Sequence, residues 1–123
     1  MARKKILVID DEEPVRQLLS RVLEQCGYDV VTAEEGRTGL ARALTERPDL
    51  ILVDLNMPGM DGRQAISGIK ADPATEDIPI LVLTAESTME NILEARRLGA
   101  GGIIATMDFN LGGFLERISR ALG

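Results

Sequence analysis

The sequence has no histidine and one cysteine, Cys26. Without histidine, no imidazole of its own can donate a phosphoryl group. With a single cysteine there is no intramolecular disulfide and no basis for a structural zinc site, which suits a reducing compartment. No apolar run approaches the roughly 20 residues of a membrane span, and the charged N-terminus has no apolar stretch behind it. Basic residues are in deficit, 14 against 20 acidic for a net charge of −6, which repels nucleic acid and anionic lipid. The one basic cluster, Arg3-Lys4-Lys5, is short and terminal. These absences together predict a cytoplasmic protein with neither nucleic acid nor membrane as partner. Linkers, repeats and low-complexity stretches are missing too, so the 123 residues, 45% hydrophobic, are expected to form one domain, residues 1–123.

Three apolar runs are present, and each ends in a residue able to do chemistry. Ile6-Leu7-Val8-Ile9 leads into Asp10-Asp11, Leu50-Ile51-Leu52-Val53 into Asp54, and Ile80-Leu81-Val82-Leu83 into Thr84. Short continuous apolar runs of this kind read as strands of a parallel sheet buried on both faces. Ligands of such sheets bind beyond the carboxyl ends of the strands.

Helical patterns alternate with the strands, which predicts an α/β fold. Pro14 suits a first helical turn, Val15, Leu18, Leu19, Val22, Leu23 and Cys26 follow at helical spacing, and Gly27 ends the helix. Tyr28 to Ala33 reads as a second strand and Gly36 to Glu46 as a helix with Leu40, Ala43 and Leu44 inward. Met57-Pro58-Gly59-Met60 reads as a turn before a helix capped by Asp61 and carrying Ala65, Ile66 and Ile69. A fourth helix is expected over Thr88 to Leu98, a short fifth strand over Gly102 to Ala105, and a last helix on Leu111, Phe114, Leu115, Ile118 and Leu122.

A phosphate-cradling loop after the first strand would need glycines and open backbone amides. Asp10-Asp11-Glu12-Glu13 stands there instead, and four acidic side chains argue against nucleotide or flavin binding by that loop. If the strand order is 2-1-3-4-5, the first and third strands are neighbours, and Asp10, Asp11 and Asp54 converge. Oxygen-only ligands with like charges favour a hard divalent cation, Mg²⁺ above all. The plainer reading, that Asp10 and Asp11 cap the first helix, leaves Asp54 without a reason.

The acidic pair after a strand, the stretch Asp54-Leu55-Asn56-Met57-Pro58-Gly59-Met60-Asp61-Gly62, and Thr84-Ala85, at these intervals, resemble the receiver domain of two-component response regulators across essentially the whole chain. The resemblance implies a doubly wound, flavodoxin-like sheet of five parallel strands in the order 2-1-3-4-5, with helices on both faces. It implies Asp54 as phosphoacceptor, Asp10, Asp11 and Asp54 with the Asn56 carbonyl as Mg²⁺ ligands, and Thr84-Ala85 as switch and phosphoryl contact. It also implies a histidine kinase or phosphotransfer protein as donor and a downstream protein target. The output and dimerisation face would lie on the fourth helix, fifth strand and fifth helix, with Glu90, Glu94, Arg97, Ile104 and Arg117.

The pattern departs at the fifth strand. Counted from Thr84, the family's lysine place holds Thr106, its proline place Met107 and its aromatic place Ile103. Thr106 can offer a neutral hydrogen bond but no charge. The leading reading is a Mg²⁺-dependent phosphoacceptor that is not a turnover enzyme. Against it stand a degenerate receiver that binds proteins independently of phosphorylation, and a carboxylate-nucleophile hydrolase resembling the haloacid-dehalogenase phosphatases. The last fits poorly, because the position two after Asp10 is Glu12 and there is little room for a capping domain.

Overall fold

The computed structural model describes residues 3–55, 57, 62–107 and 109–123. Five strands alternate with five helices: β1 Lys5–Ile9, α1 Glu13–Gln25, β2 Asp29–Ala33, α2 Gly36–Glu46, β3 Leu50–Asp54, α3 Gly62–Ala71, β4 Ile80–Thr84, α4 Met89–Leu98, β5 Gly102–Ala105 and α5 Leu111–Leu122. All pairings are parallel and the order is β2-β1-β3-β4-β5. The expected fold and strand order are both present.

The three apolar runs are continuous because the sheet is covered on both sides. Strand side chains alternate between faces. Leu7, Ile9, Ile51, Val53, Ile80, Val82 and Ile103 form one core layer with Ala43, Ile66, Ile69 and Ala95 from α2, α3 and α4. Ile6, Val8, Leu50, Leu52, Leu81, Leu83 and Ile104 form the other with Leu19, Leu23, Phe114 and Ile118 from α1 and α5. The same alternation assigns Asp54 to the α1/α5 face and Thr84 to the α3/α4 face, so the two reach the sheet's carboxyl edge from opposite sides.

Three expected placements are corrected. Leu44 is exposed; α2 turns Gly36, Gly39 and Ala43 inward instead, because the helix lies so close to the sheet that a Cβ on Gly39 would sit 2.5 Å from Ile9 Cδ1. Leu18 is likewise exposed, and Leu19 and Leu23 carry the contact of α1 with the sheet. Ile104 is buried in the α1/α5 layer rather than presented on the outer face. The expected turn over Met57-Met60 and the Asp61 cap lie outside the described residues, except for Met57, which is buried. Among the described residues no helix is long and apolar enough to cross a membrane.

Candidate functional site

The carboxyl ends of β1, β3 and β4 surround a hollow of about 270 Å³ lined by Asp10, Glu12, Val15, Asp54, Leu83, Thr84, Ala85 and Thr106. A larger, open groove of about 630 Å³ runs along α1, but the chemistry gathers in the smaller one. One carboxylate oxygen from each of Asp10, Asp11 and Asp54 lies within 4.8 Å of the other two. The β1–β3 pairing causes this convergence: Ile9 is in register with Val53, so Asp10 and Asp54, each one residue further on, leave the sheet side by side.

The three carboxylates are held differently. Asp10 is 4% exposed, and its Oδ1 accepts the Glu12 N–H at 2.8 Å. Its carbonyl accepts Arg16 Nη1 at 2.6 Å. Burial pushes the Asp10 carboxyl above its ordinary pKa; the Glu12 amide opposes this, the charges of Asp11 and Glu12 add to it, and Arg16 opposes it. Asp11 is exposed and Asp54 half-buried. Neither Asp10 nor Asp11 is the N-cap of α1. That place belongs to Glu12, whose side chain makes no capping bond, so helix capping does not account for the acidic cluster.

Thr84 is 8% exposed. Thr106 lines the same hollow, one residue beyond β5. Its N–H donates to the Thr84 carbonyl at 2.7 Å, and its hydroxyl donates to the same carbonyl at 3.2 Å. Met107 N–H donates to the Ala85 carbonyl at 3.0 Å. Ile103, in the aromatic place, fills the core layer beneath Thr84 and is 7% exposed. Asn56 lies outside the described residues.

Sequence reasoning missed one link from the hollow to α4 and a second that ties α3 to α4. Asn91 Nδ2 donates to Thr84 Oγ1 at 3.3 Å and to the Glu86 carbonyl at 3.0 Å. Arg63, at the start of α3, pairs with Glu94 through Nε–Oε2 at 2.7 Å and Nη2–Oε1 at 2.9 Å, and its Nη1 donates to the Leu55 carbonyl at 3.4 Å. The guanidinium holds the Glu94 carboxyl below its ordinary pKa. Glu94, expected on the free outer face, is therefore committed to α3. Arg117 is similarly engaged, its Nη1 donating to the Ile103 carbonyl at 2.9 Å. Glu90 and Arg97 remain exposed.

The comparisons with known proteins agree with this geometry. The family model described as "Response regulator receiver domain" matches residues 6–110. The phosphate regulon transcriptional regulatory protein PhoB of Pseudomonas aeruginosa is 38% identical over 104 residues, covering 85% of this chain and 45% of that protein. Sporulation initiation phosphotransferase F of Bacillus subtilis is 37% identical over 100 residues, 81% of this chain and 79% of that one. The solved structure of Vibrio cholerae chemotaxis protein CheY4 superposes with a TM-score of 0.91 at 36% identity, covering 98% of this chain and 99% of that chain. The chain spans less than half the length of several curated relatives, among them the transcriptional regulators PhoB and RpaA.

Proposed function

The chain belongs to the response regulator receiver domain family, and from that membership we propose that residues 1–123 form a single phosphoacceptor domain in which Asp54 takes a phosphoryl group from the phosphohistidine of a histidine kinase or phosphotransfer protein. The observation that carries the proposal is the convergence of Asp10, Asp11 and Asp54 at the carboxyl ends of β1 and β3.

A carboxylate oxygen of Asp54 attacks phosphorus as the bond from phosphorus to the donor's imidazole nitrogen breaks. The imidazole keeps the electron pair, and Asp54 becomes an acyl phosphate. Repulsion between two anions is the chief obstacle, so catalysis is positioning and charge neutralisation. The Glu12 N–H and the surrounding core hold the Asp10 carboxylate in place. The Thr84 hydroxyl supplies a hydrogen bond to a phosphoryl oxygen, with Ala85 beside it in the wall of the hollow. An all-oxygen set of three carboxylates suits a hard divalent cation, of which Mg²⁺ is the one proposed. Asp10, Asp11, Asp54 and the carbonyl of Asn56 would hold it, and when bound it neutralises and orients the oxygens in transfer.

The domain signals by contact with proteins and is not a turnover enzyme on small substrates. Its setting is cytoplasmic. The α4-β5-α5 face is the proposed surface for a downstream protein or a second copy, with Glu90 and Arg97 exposed beside Met89 and Leu93. A second reading, a phosphorylation-independent interaction module, is favoured by Thr106, whose hydroxyl bonds back to the Thr84 carbonyl and brings no charge to the hollow.

Intact-mass measurement after incubation with Mg²⁺ and a small phosphoramidate separates the two. The wild-type chain should gain one phosphoryl mass and Asp54→Asn none. An unmodified wild type, under conditions that label an ordinary receiver domain, would favour the interaction module.

A further inference from the structure

The pair Asn91–Thr84 has a defined polarity. The Asn91 side chain meets the Glu86 main-chain carbonyl at 3.0 Å, and a carbonyl can only accept, so the amide nitrogen faces it. The same nitrogen meets Thr84 Oγ1 at 3.3 Å. Thr84 Oγ1 is therefore the acceptor in this pair, which leaves the one hydrogen of its hydroxyl to be given elsewhere. Threonine is stiff about χ1, and Thr84 lines the hollow with Asp10 and Asp54.

Asn91 is itself well anchored. It is the third residue of α4, and its N–H donates to the capping Thr88 Oγ1 at 3.1 Å. A side chain at this position commonly reaches back to the cap's own amide; here it reaches to β4 instead. One turn on, Glu94 clamps the helix to Arg63.

We infer that Asn91 is a positioning residue for phosphoryl acceptance: it fixes Thr84 as a hydrogen-bond donor to the hollow, matched to a ligand whose oxygens can only accept. This rests on the phosphoacceptor reading and adds to it a residue of α4 that acts through Thr84 without touching the phosphoryl group. With an uncharged Thr106 at the end of β5, the domain depends more heavily on this neutral donor being correctly turned.

The test is calorimetric titration with beryllofluoride at fixed Mg²⁺, a phosphoryl mimic whose fluorines only accept. Asn91→Asp presents an acceptor-only carboxylate that draws the Thr84 hydrogen to itself, and an acid in the first turn of a helix is well tolerated, so the fold is kept. Its affinity should fall roughly tenfold, the scale of one misdirected hydrogen bond. Asn91→Ala, which adds no charge, should lose less, in the same direction. In a Thr84→Ala background the Asn91→Ala loss should nearly vanish and the Asn91→Asp loss should shrink to the part its added charge contributes, because the residue through which Asn91 acts is gone. Losses of equal size with and without the Thr84 hydroxyl, or no loss from Asn91→Asp, would overturn the positioning role while leaving phosphoacceptance intact. A wild type that binds no beryllofluoride would overturn the phosphoacceptor reading, and the role of Asn91 with it.

Discussion

The two sides of the hollow differ in how much charge they bring. On the β1–β3 side, three carboxylates converge, one of them buried and fixed by a backbone amide. On the β4–β5 side, Thr84 and Thr106 are neutral, Ile103 already fills the core, and the ends of both strands are tied by backbone bonds from Thr106 and Met107. The contrast teaches that accepting a phosphoryl group and reporting it are separable. The first needs a nucleophile and a place for a cation. The second needs an element with two positions, and on β5 the Ile103 side chain already lies in the core. One polar link from the hollow runs to α4, from Thr84 through Asn91, and beside it Arg63 joins the Leu55 carbonyl to Glu94.

The hardest blow to the acidic side is steric. A Cβ on Gly62 would lie 2.0 Å from the Asp54 carbonyl oxygen and 2.6 Å from Leu55 Cα, both main-chain atoms that cannot step aside. Gly62→Ala should cost about 3 kcal/mol and lower the melting temperature by roughly 10 °C, with phosphorylation impaired in whatever remains folded. Unchanged thermal unfolding would mean that the segment after Asp54 is not held against α3.

Next in size is the effect of the cation. Mg²⁺ at one hundred times its dissociation constant should stabilise the protein by about 2.7 kcal/mol, and Asp11→Asn should raise the metal-free melting temperature by roughly 2–4 °C while blunting the response to Mg²⁺. The pH dependence follows from Asp10, whose raised pKa means that its charged form is disfavoured in the fold. That penalty stands above the folded pKa and disappears as pH falls towards the ordinary value of 3.8. In metal-free denaturation, Asp10→Asn should therefore exceed wild type at neutral pH, with the gap closing on acidification. A constant gap would place the origin in packing rather than charge.

A smaller effect is expected from restoring charge on the other side. Thr106→Lys puts a cation beside the acidic cluster, which should stabilise the metal-free protein by up to about 1 kcal/mol. It should tighten beryllofluoride binding roughly tenfold through a charge-assisted bond. Equal affinities would show that position 106 does not govern the phosphoryl side of the hollow.

How much of this was legible beforehand follows from the kind of signal involved. Apolar runs and the residues ending them depend on local sequence and a buried sheet, so the strands could be read directly, whereas the strand order, the convergence of the carboxylates that depends on it and the place of Thr106 came with the resemblance to the receiver family. Leu18 and Leu44 were misplaced because periodicity marks an apolar face but not how closely a helix approaches, which the Gly39–Ile9 contact sets for α2; Ile104 was assigned to the outer face by the resemblance, and strand alternation turns it into the α1/α5 core instead. Asn91 and the Arg63–Glu94 pair carried no motif, since their partners lie on other elements and are met only through tertiary packing. Asn56, expected as a carbonyl ligand, lies outside the described residues.

The separation of the two sides is tested most directly by amide-resolved NMR of the wild-type chain titrated with beryllofluoride and Mg²⁺. Shifts should concentrate at residues 10–12, at 54–55, at 84–86 and through the first turn of α4 to Asn91, with Ile103 to Ala105 and α5 little changed. Large shifts along β5 and α5 would contradict the account, because Ile103 and Thr106 would then be carrying the signal that their packing and lack of charge deny them.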